Sequence, residues 1–179
     1  MSAQPNASMD AVVLIGHGAP ATDCPRELVG ELMRLEWRRV DPKDEAKLKR
    51  GAELDATIRN WPRRPDNDPY KEGLERVGDA LKQLLPSVKF GLGYTEFCSP
   101  SIVQAVEGMI REGARRIFVI PSMLTPGGLH SELDIPKALD LVRVAHPSAE
   151  IIYLWPFDVA RVAAMLADHV RHAMEVQPA

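Results

Sequence analysis

Two histidines and a glutamate carry the chemistry this sequence offers. His17 lies in Gly16-His17-Gly18-Ala19-Pro20, and Glu96 in Thr95-Glu96-Phe97-Cys98-Ser99-Pro100. His130 closes Ser122-Met123-Leu124-Thr125-Pro126-Gly127-Gly128-Leu129-His130. Each segment directly follows a short apolar run. Imidazole nitrogens and a carboxylate together suit a borderline divalent ion such as Co²⁺, Ni²⁺, Fe²⁺ or Zn²⁺. Three protein ligands leave a coordination position open, which a catalytic or delivery site needs. Glycines on either side of His17, and Gly127-Gly128 before His130, permit sharp turns and the close approach of a flat ligand. Singly, each feature has a plainer reading. A histidine after a strand is more often a hydrogen-bonding loop residue, Glu96 would cap the next helix or pair with an arginine, and Pro126-Gly127-Gly128 is a turn. Position favours the metal, because both histidines fall at adjacent strand ends. A phosphate site is the weaker alternative, since no Walker-type lysine and no Gly-x-Gly-x-x-Gly follows a strand.

The elements that position these residues are legible as patterns. Runs 11–15, 88–94, 116–121 and 150–155 are nearly apolar without clean alternation, as expected of strands covered on both faces. Helical patterns lie between them. Leu28, Leu32 and Leu35 keep one face, and Asp41 with Pro42 opens a second helix carrying Leu48, Ala52 and Ile58. Leu74, Val77, Leu81 and Leu84 follow Asp68-Pro69; Ile102, Val106 and Ile110 follow Ser99-Pro100; Leu139 and Val142 lie between 136 and 145. Asp158 caps a last helix with Val159, Val162, Leu166 and Val170 on one side. Alternating strands and helices predict an α/β fold with a parallel sheet and right-handed crossovers. Ligands of such sheets bind outside the carboxyl ends of the strands. The first crossover, roughly 20–87, is oversized. Its proline-rich run 61–69 lacks regular-structure signals, so the segment 41–69 is expected to be a mobile cover.

Bulk properties narrow the function classes. The chain has 179 residues, 45% apolar and 26% charged, which suits one domain with a sizeable core. A net charge of −3 gives no basic field for nucleic acid or anionic lipid. No run approaches the ~18 apolar residues of a membrane span. Residues 1–10 read as a disordered tail without signal-peptide character. Only Cys24 and Cys98 occur, which predicts free thiols and a cytoplasmic location.

Two longer segments then become specific. Val12-Val13-Leu14-Ile15-Gly16-His17-Gly18 and the stretch from Ile120-Pro121-Ser122 through Pro126-Gly127-Gly128-Leu129-His130 to Asp134-Ile135-Pro136 resemble the class II chelatases. These are the CbiX and SirB type proteins of cobalamin and sirohaem synthesis. Pro-Gly-x-x-His followed closely by Asp-Ile-Pro is the distinctive part, and Thr95-Glu96-Phe97 with Pro100-Ser101-Ile102 is similar to the family's second-strand end. The resemblance implies one chelatase-like lobe: a four-stranded parallel sheet flanked by helices in flavodoxin-like order, spanning 11–179 with a helical insertion at about 41–69. It implies metal ligation by His17, His130 and Glu96, and pairing of short members as homodimers.

The implied activity is that of a lyase-class chelatase, inserting Co²⁺, Fe²⁺ or Ni²⁺ as substrate into a tetrapyrrole such as sirohydrochlorin, with no organic cofactor. His17 and His130 would hold the ion as neutral imidazoles, and Glu96 would complete the shell or accept a pyrrole proton. Gly16, Gly18, Leu124, Gly127, Gly128 and Leu129 are the expected substrate contacts. Arg38, Arg39, Arg63 and Arg64 are candidates for the substrate's carboxylates, against the plainer reading of a solvated face. A protein that carries metal or tetrapyrrole without catalysis would use the same ligands. Cys98 reads as a packed small residue, and His146 as structural.

Overall fold

The computed structural model describes residues 10–37, 41 and 43–176. Of the expected tail only Asp10 falls among them, and it begins a strand; Arg38, Arg39 and Pro42 lie outside the described residues. Four strands form one parallel sheet: β1 (Asp10–Gly16), β2 (Lys89–Tyr94), β3 (Arg116–Pro121) and β4 (Glu150–Tyr153), in the order β2-β1-β3-β4. This is the expected α/β class and flavodoxin-like order. Strand β1 is central, with Leu14 in register with Leu92 on one side and Ile120 on the other.

The chain steps outward from β1 to β2, then back across β1 to β3. Right-handed connections must place the helices of those two steps on opposite faces. Accordingly α3 (Pro69–Leu84) covers one face, while α4 (Ile102–Arg111) and α5 (Ile135–Ala145) cover the other. The period of two along β1 divides its side chains between them. Ala11, Val13 and Ile15 join Ile102, Val106, Leu139 and Val142 in the main core, and Leu14 packs with Leu74 and Tyr94 behind it. The reversal of direction at β1 opens a crevice at the carboxyl ends of β1 and its neighbours. Helix starts differ slightly from expectation. Ser101, not Ser99, caps α4 through a reciprocal capping box with Gln104. Asp68 caps α3 as expected.

The first crossover holds three helices, α1 (Arg26–Trp37), α2 (Glu45–Arg59) and α3. Asp44 rather than Asp41 caps α2, its carboxylate accepting the Lys47 N–H at 3.1 Å. The expectation of a mobile cover is corrected here. Leu54 and Ile58 of α2 are buried to 1% and 0% exposure. They form a second small core with Leu32, Ala21, Cys24 and Phe97. The irregular run after α2 is fastened by its own polar side chains. Asn67 is buried, donating to Pro62 O and the Asp23 carboxylate and accepting the Arg64 N–H. Proline-rich sequence signalled missing regular structure, and side-chain hydrogen bonds supply the order instead.

Helix α6 (Val159–Val176) departs from expectation in the other direction. Asp158 caps it, accepting from Ala160 N–H and Arg161 N–H. Its apolar stripe, however, meets no core: the helix has no buried residue, and Val159, Leu166 and Val170 are exposed.

Because Ile58 is fully buried in the second core, Ile58→Ala is expected to cost ~2–5 kcal/mol of stability in urea unfolding followed by circular dichroism. A cost under ~1 kcal/mol would return α2 to the role of a dispensable cover.

Candidate metal centre

The end of β1 is clamped from both sides. Gly16 and His17 pass their carbonyls to the segment after β2: Thr95 N–H donates to Gly16 O (3.0 Å), Glu96 N–H to His17 O (2.9 Å), and the Thr95 hydroxyl to the same His17 O (2.7 Å). The His17 N–H donates to the Tyr70 hydroxyl of α3 at 2.7 Å. Parallel pairing thus continues one residue beyond the strands and sets Glu96 beside His17. Gly18 is required here. Its φ is +93°, and a Cβ would lie 1.9 Å from Glu96 O. Glu96 leads into Phe97, held at φ 58° with its ring buried in the α1–α2 core. Gly16 is fixed by packing, since a Cβ there would meet Leu74 at 2.4 Å.

His130 arrives from the opposite side. Ser122 N–H donates to Ile15 O (2.7 Å) as β3 gives way to its glycine-rich loop. Gly127 turns the loop at φ +89° and gives its N–H to Glu132 at 3.0 Å. His130 then opens a π-helical turn, His130–Asp134, closed by the Ile135 N–H on His130 O. A wide turn of this kind is frequent at functional sites.

The two imidazoles meet at this edge. Their Nε2 atoms are 3.0 Å apart, and the rings stand at 87° with centroids 4.5 Å apart. His17 Nδ1 lies 2.8 Å from Gly18 O, and His130 Nδ1 lies 2.8 Å from Asp134 Oδ2. Both partners are acceptors, so the Nδ1 side of each ring is engaged and the two Nε2 atoms are left to share a proton or a metal ion between them. Two nitrogens bound to one ion at roughly 2.0–2.1 Å each would stand about 3 Å apart. Glu96 Oε1 is 3.8 Å from His130 Nε2, and ligand atoms of all three side chains lie within 4.8 Å of one another. His130 and Glu96 keep 20% and 28% side-chain exposure, so the cluster opens to solvent.

Comparison with known proteins bears on what this cluster serves. Residues 65–173 match the CbiX family. The chain belongs to the CbiX family. A sirohydrochlorin cobaltochelatase of Methanocaldococcus jannaschii is 42% identical over 81 residues, which cover 44% of this chain and 54% of that protein. A sirohydrochlorin ferrochelatase of Priestia megaterium is 33% identical over 78 residues, 43% of this chain and 29% of that protein. The matched stretch thus spans about half the length of the first relative and under a third of the second. A CbiX protein from Marinobacter aquaeolei VT8 shares the fold, with TM-score 0.56 and 15% identity over 94% of this chain and 99% of that one.

Around the CbiX-type cluster the other expected residues fall unevenly. Leu124 is half-buried, and Gly127, Gly128 and Leu129 are exposed on the loop before His130. The arginines are a correction. Arg63 is turned inward, 2.6 Å from the buried Asp68 carboxylate, and donates to Ala19 O, Ile58 O and Phe97 O. It secures the loops behind His17 and Glu96 and is not available to a substrate. Arg64 is exposed but paired with Asp66 and Asp23. Arg59 likewise spends its guanidinium on Thr95 O and Cys98 O. Cys98 is buried, its Sγ 3.4 Å from Ala19 O and from Asp68 Oδ2, and burial pushes its thiol pKa up. His146 sits 3.3 Å from Glu107, at the end of α5.

Four supporting residues escaped the sequence reading. Asp134 stands four residues after His130, a spacing that brings both onto one helical face, and that signal was available. Tyr70 and Thr95 act on the His17 backbone across 53 and 78 residues, so no local pattern marks them. Glu132 joins Gly127 to Trp155 through its carboxylate, and these two donors hold its pKa below the usual range.

Outer-shell carboxylates that orient a ligating histidine typically contribute ~10–100-fold in metal affinity. Asp134→Ala is therefore expected to weaken Co²⁺ binding by about that factor in a calorimetric titration. Equal affinity would remove Asp134 from the centre.

Proposed function

We propose that this chain is a chelatase of the lyase class that inserts a divalent metal into a tetrapyrrole such as sirohydrochlorin, as in cobalamin or sirohaem synthesis. One observation carries the reading: His17 and His130 face each other through Nε2 beside Glu96, at an open sheet edge in a chain of the CbiX family. Co²⁺, Fe²⁺ or Ni²⁺ enters as substrate, and no organic cofactor is required.

Insertion exchanges two pyrrole N–H protons for one M²⁺. The site must hold the ion loosely, strip its water and accept protons. Two neutral imidazoles bind the ion without cancelling its charge, leaving positions for the macrocycle nitrogens. Glu96, 3.8 Å from His130 Nε2, completes the shell or accepts a pyrrole proton. Leu124, Gly127, Gly128 and Leu129 line the approach beside His130, and Gly16 and Gly18 shape the other side. The activity belongs in the cytoplasm, consistent with two free cysteines and no helix among the described residues able to cross a membrane.

A flat macrocycle has two faces, and one lobe covers one of them. We take the working unit to be a homodimer, with the uncovered apolar face of α6 supporting a contact between copies. Light scattering at micromolar concentration should give twice the chain mass. A monomer that still inserts metal would mean that one lobe suffices.

The catalytic test is Glu96→Gln in an absorbance assay of metal insertion into sirohydrochlorin, with each metal in turn. Loss of a general base should lower the rate at saturating metal by ~10²–10⁴-fold. Metal affinity, held by two intact histidines, should change far less. Insertion at the wild-type rate would transfer proton acceptance to a histidine or to water. No insertion by the wild type with any metal would overturn the chelatase reading.

A further inference from the structure

The carboxyl end of β4 carries a feature that the metal cluster does not use. Trp155 and Phe157 are half-exposed and stack edge to face, with centroids 5.6 Å apart and planes at 82°. They sit beside the turn that holds His130, and two side-chain bonds fix them there. The Tyr153 hydroxyl donates to Ser131 O at 2.9 Å, and the Trp155 indole N–H donates to Glu132 Oε1 at 3.1 Å. Glu132 Oε1 also accepts the Gly127 N–H, so one carboxylate joins the glycine-rich loop, the His130 turn and the β4 corner. Leu129, Leu133 and Leu154, the sequence neighbours of these contacts, are exposed at 63%, 47% and 40%.

Such an arrangement is unusual for a loop with a purely structural role. The polar end of the indole is already satisfied, so what remains exposed is ring surface, and ring surface favours apolar cover. The rings are held in place before any ligand arrives, which reduces the ordering cost of binding. Sites for organic ligands have this composition, apolar and aromatic walls with few, placed polar groups. β4 is next to β3 in the sheet, so the aromatic corner and the His130 loop occupy neighbouring strand ends on the same edge.

We infer that Trp155, with Phe157 behind it, is the ring-face subsite for the macrocycle, and that Glu132 positions it against the His130 loop. This rests on the chelatase reading and adds to it the wall on which the tetrapyrrole lies while His17 and His130 present the ion. Trp155 contacts substrate; Glu132 acts through Trp155 and Gly127 and is a positioning residue.

The test separates macrocycle binding from metal binding. Metal-free sirohydrochlorin is titrated by absorbance into wild type, Trp155→Ala, Phe157→Ala and Glu132→Gln, with Co²⁺ affinity and mass measured on the same samples. Trp155→Ala is expected to weaken macrocycle binding at least ~10-fold, as base–aromatic stacks do on alanine substitution. Its Co²⁺ affinity and mass should not change, and Phe157→Ala and Glu132→Gln should show smaller losses in the same direction. Trp155→Phe, which keeps an aromatic ring at the corner, should retain more of the binding than Trp155→Ala. Macrocycle affinity unchanged in Trp155→Ala would overturn the inference and leave the chelatase reading standing. A fall in mass in Trp155→Ala would also overturn it, by assigning the aromatic corner to a contact between copies. Absence of macrocycle binding by a wild type that still takes up Co²⁺ would defeat the chelatase reading, and the inference with it.

Discussion

Two imidazole Nε2 atoms 3.0 Å apart need a proton or a cation between them. The fold spends much of its polar structure on keeping them there. Gly18 O and the Asp134 carboxylate occupy the Nδ1 sites and turn both Nε2 atoms inward. Thr95 and Glu96 of the loop after β2, and Tyr70 of α3, fix the His17 backbone from two sides. A π-helical turn sets the His130 ring against it from the opposite side. With Glu96 beside them, the same geometry suits a divalent ion. That is the physical basis for reading the cluster as a metal centre rather than as a pair of loop histidines.

The enlarged first crossover serves the same end at a distance. Arg63 and Asp68 form an ion pair with 12% and 1% side-chain exposure, and such a burial costs desolvation that Coulomb attraction alone seldom recovers. Here the guanidinium also satisfies Ala19 O, Ile58 O and Phe97 O. One side chain therefore links the loop after His17, the end of α2 and the loop after Glu96. The crossover braces the two loops that carry His17 and Glu96, and α2 supplies the small core on which Phe97 rests. Breaking such a pair from one side leaves a buried charge uncompensated, which typically destabilises by ~3–5 kcal/mol. Function and stability are joined at this point.

The sheet was readable because its strands are nearly continuous apolar runs bounded by glycine and proline. Placing His17, Glu96 and His130 at three carboxyl ends required only the rule for parallel sheets, and the structure brings the three side chains together. What could not be read has a common cause. Arg63 looked like a surface cation because sequence does not reveal that three carbonyls and Asp68 converge on it. The 61–69 run looked loose because much of its order comes from Asn67 reaching Asp23 and from Asp68 meeting Cys98, not from local propensity. The apolar stripe of α6 looked like core because periodicity marks an amphipathic helix without naming what covers it. Asp134 was the one supporting residue with a local signal, four positions after His130.

The central claim is that His17 and His130 together hold one divalent ion. Calorimetric titration of Co²⁺ into wild type, His17→Ala and His130→Ala tests it directly. The wild type is expected to show one tight site per chain. In each single variant the loss should exceed the ~10–100-fold typical of an outer-shell partner, because a ligand itself is gone. Affinity equal to wild type in both variants would contradict it.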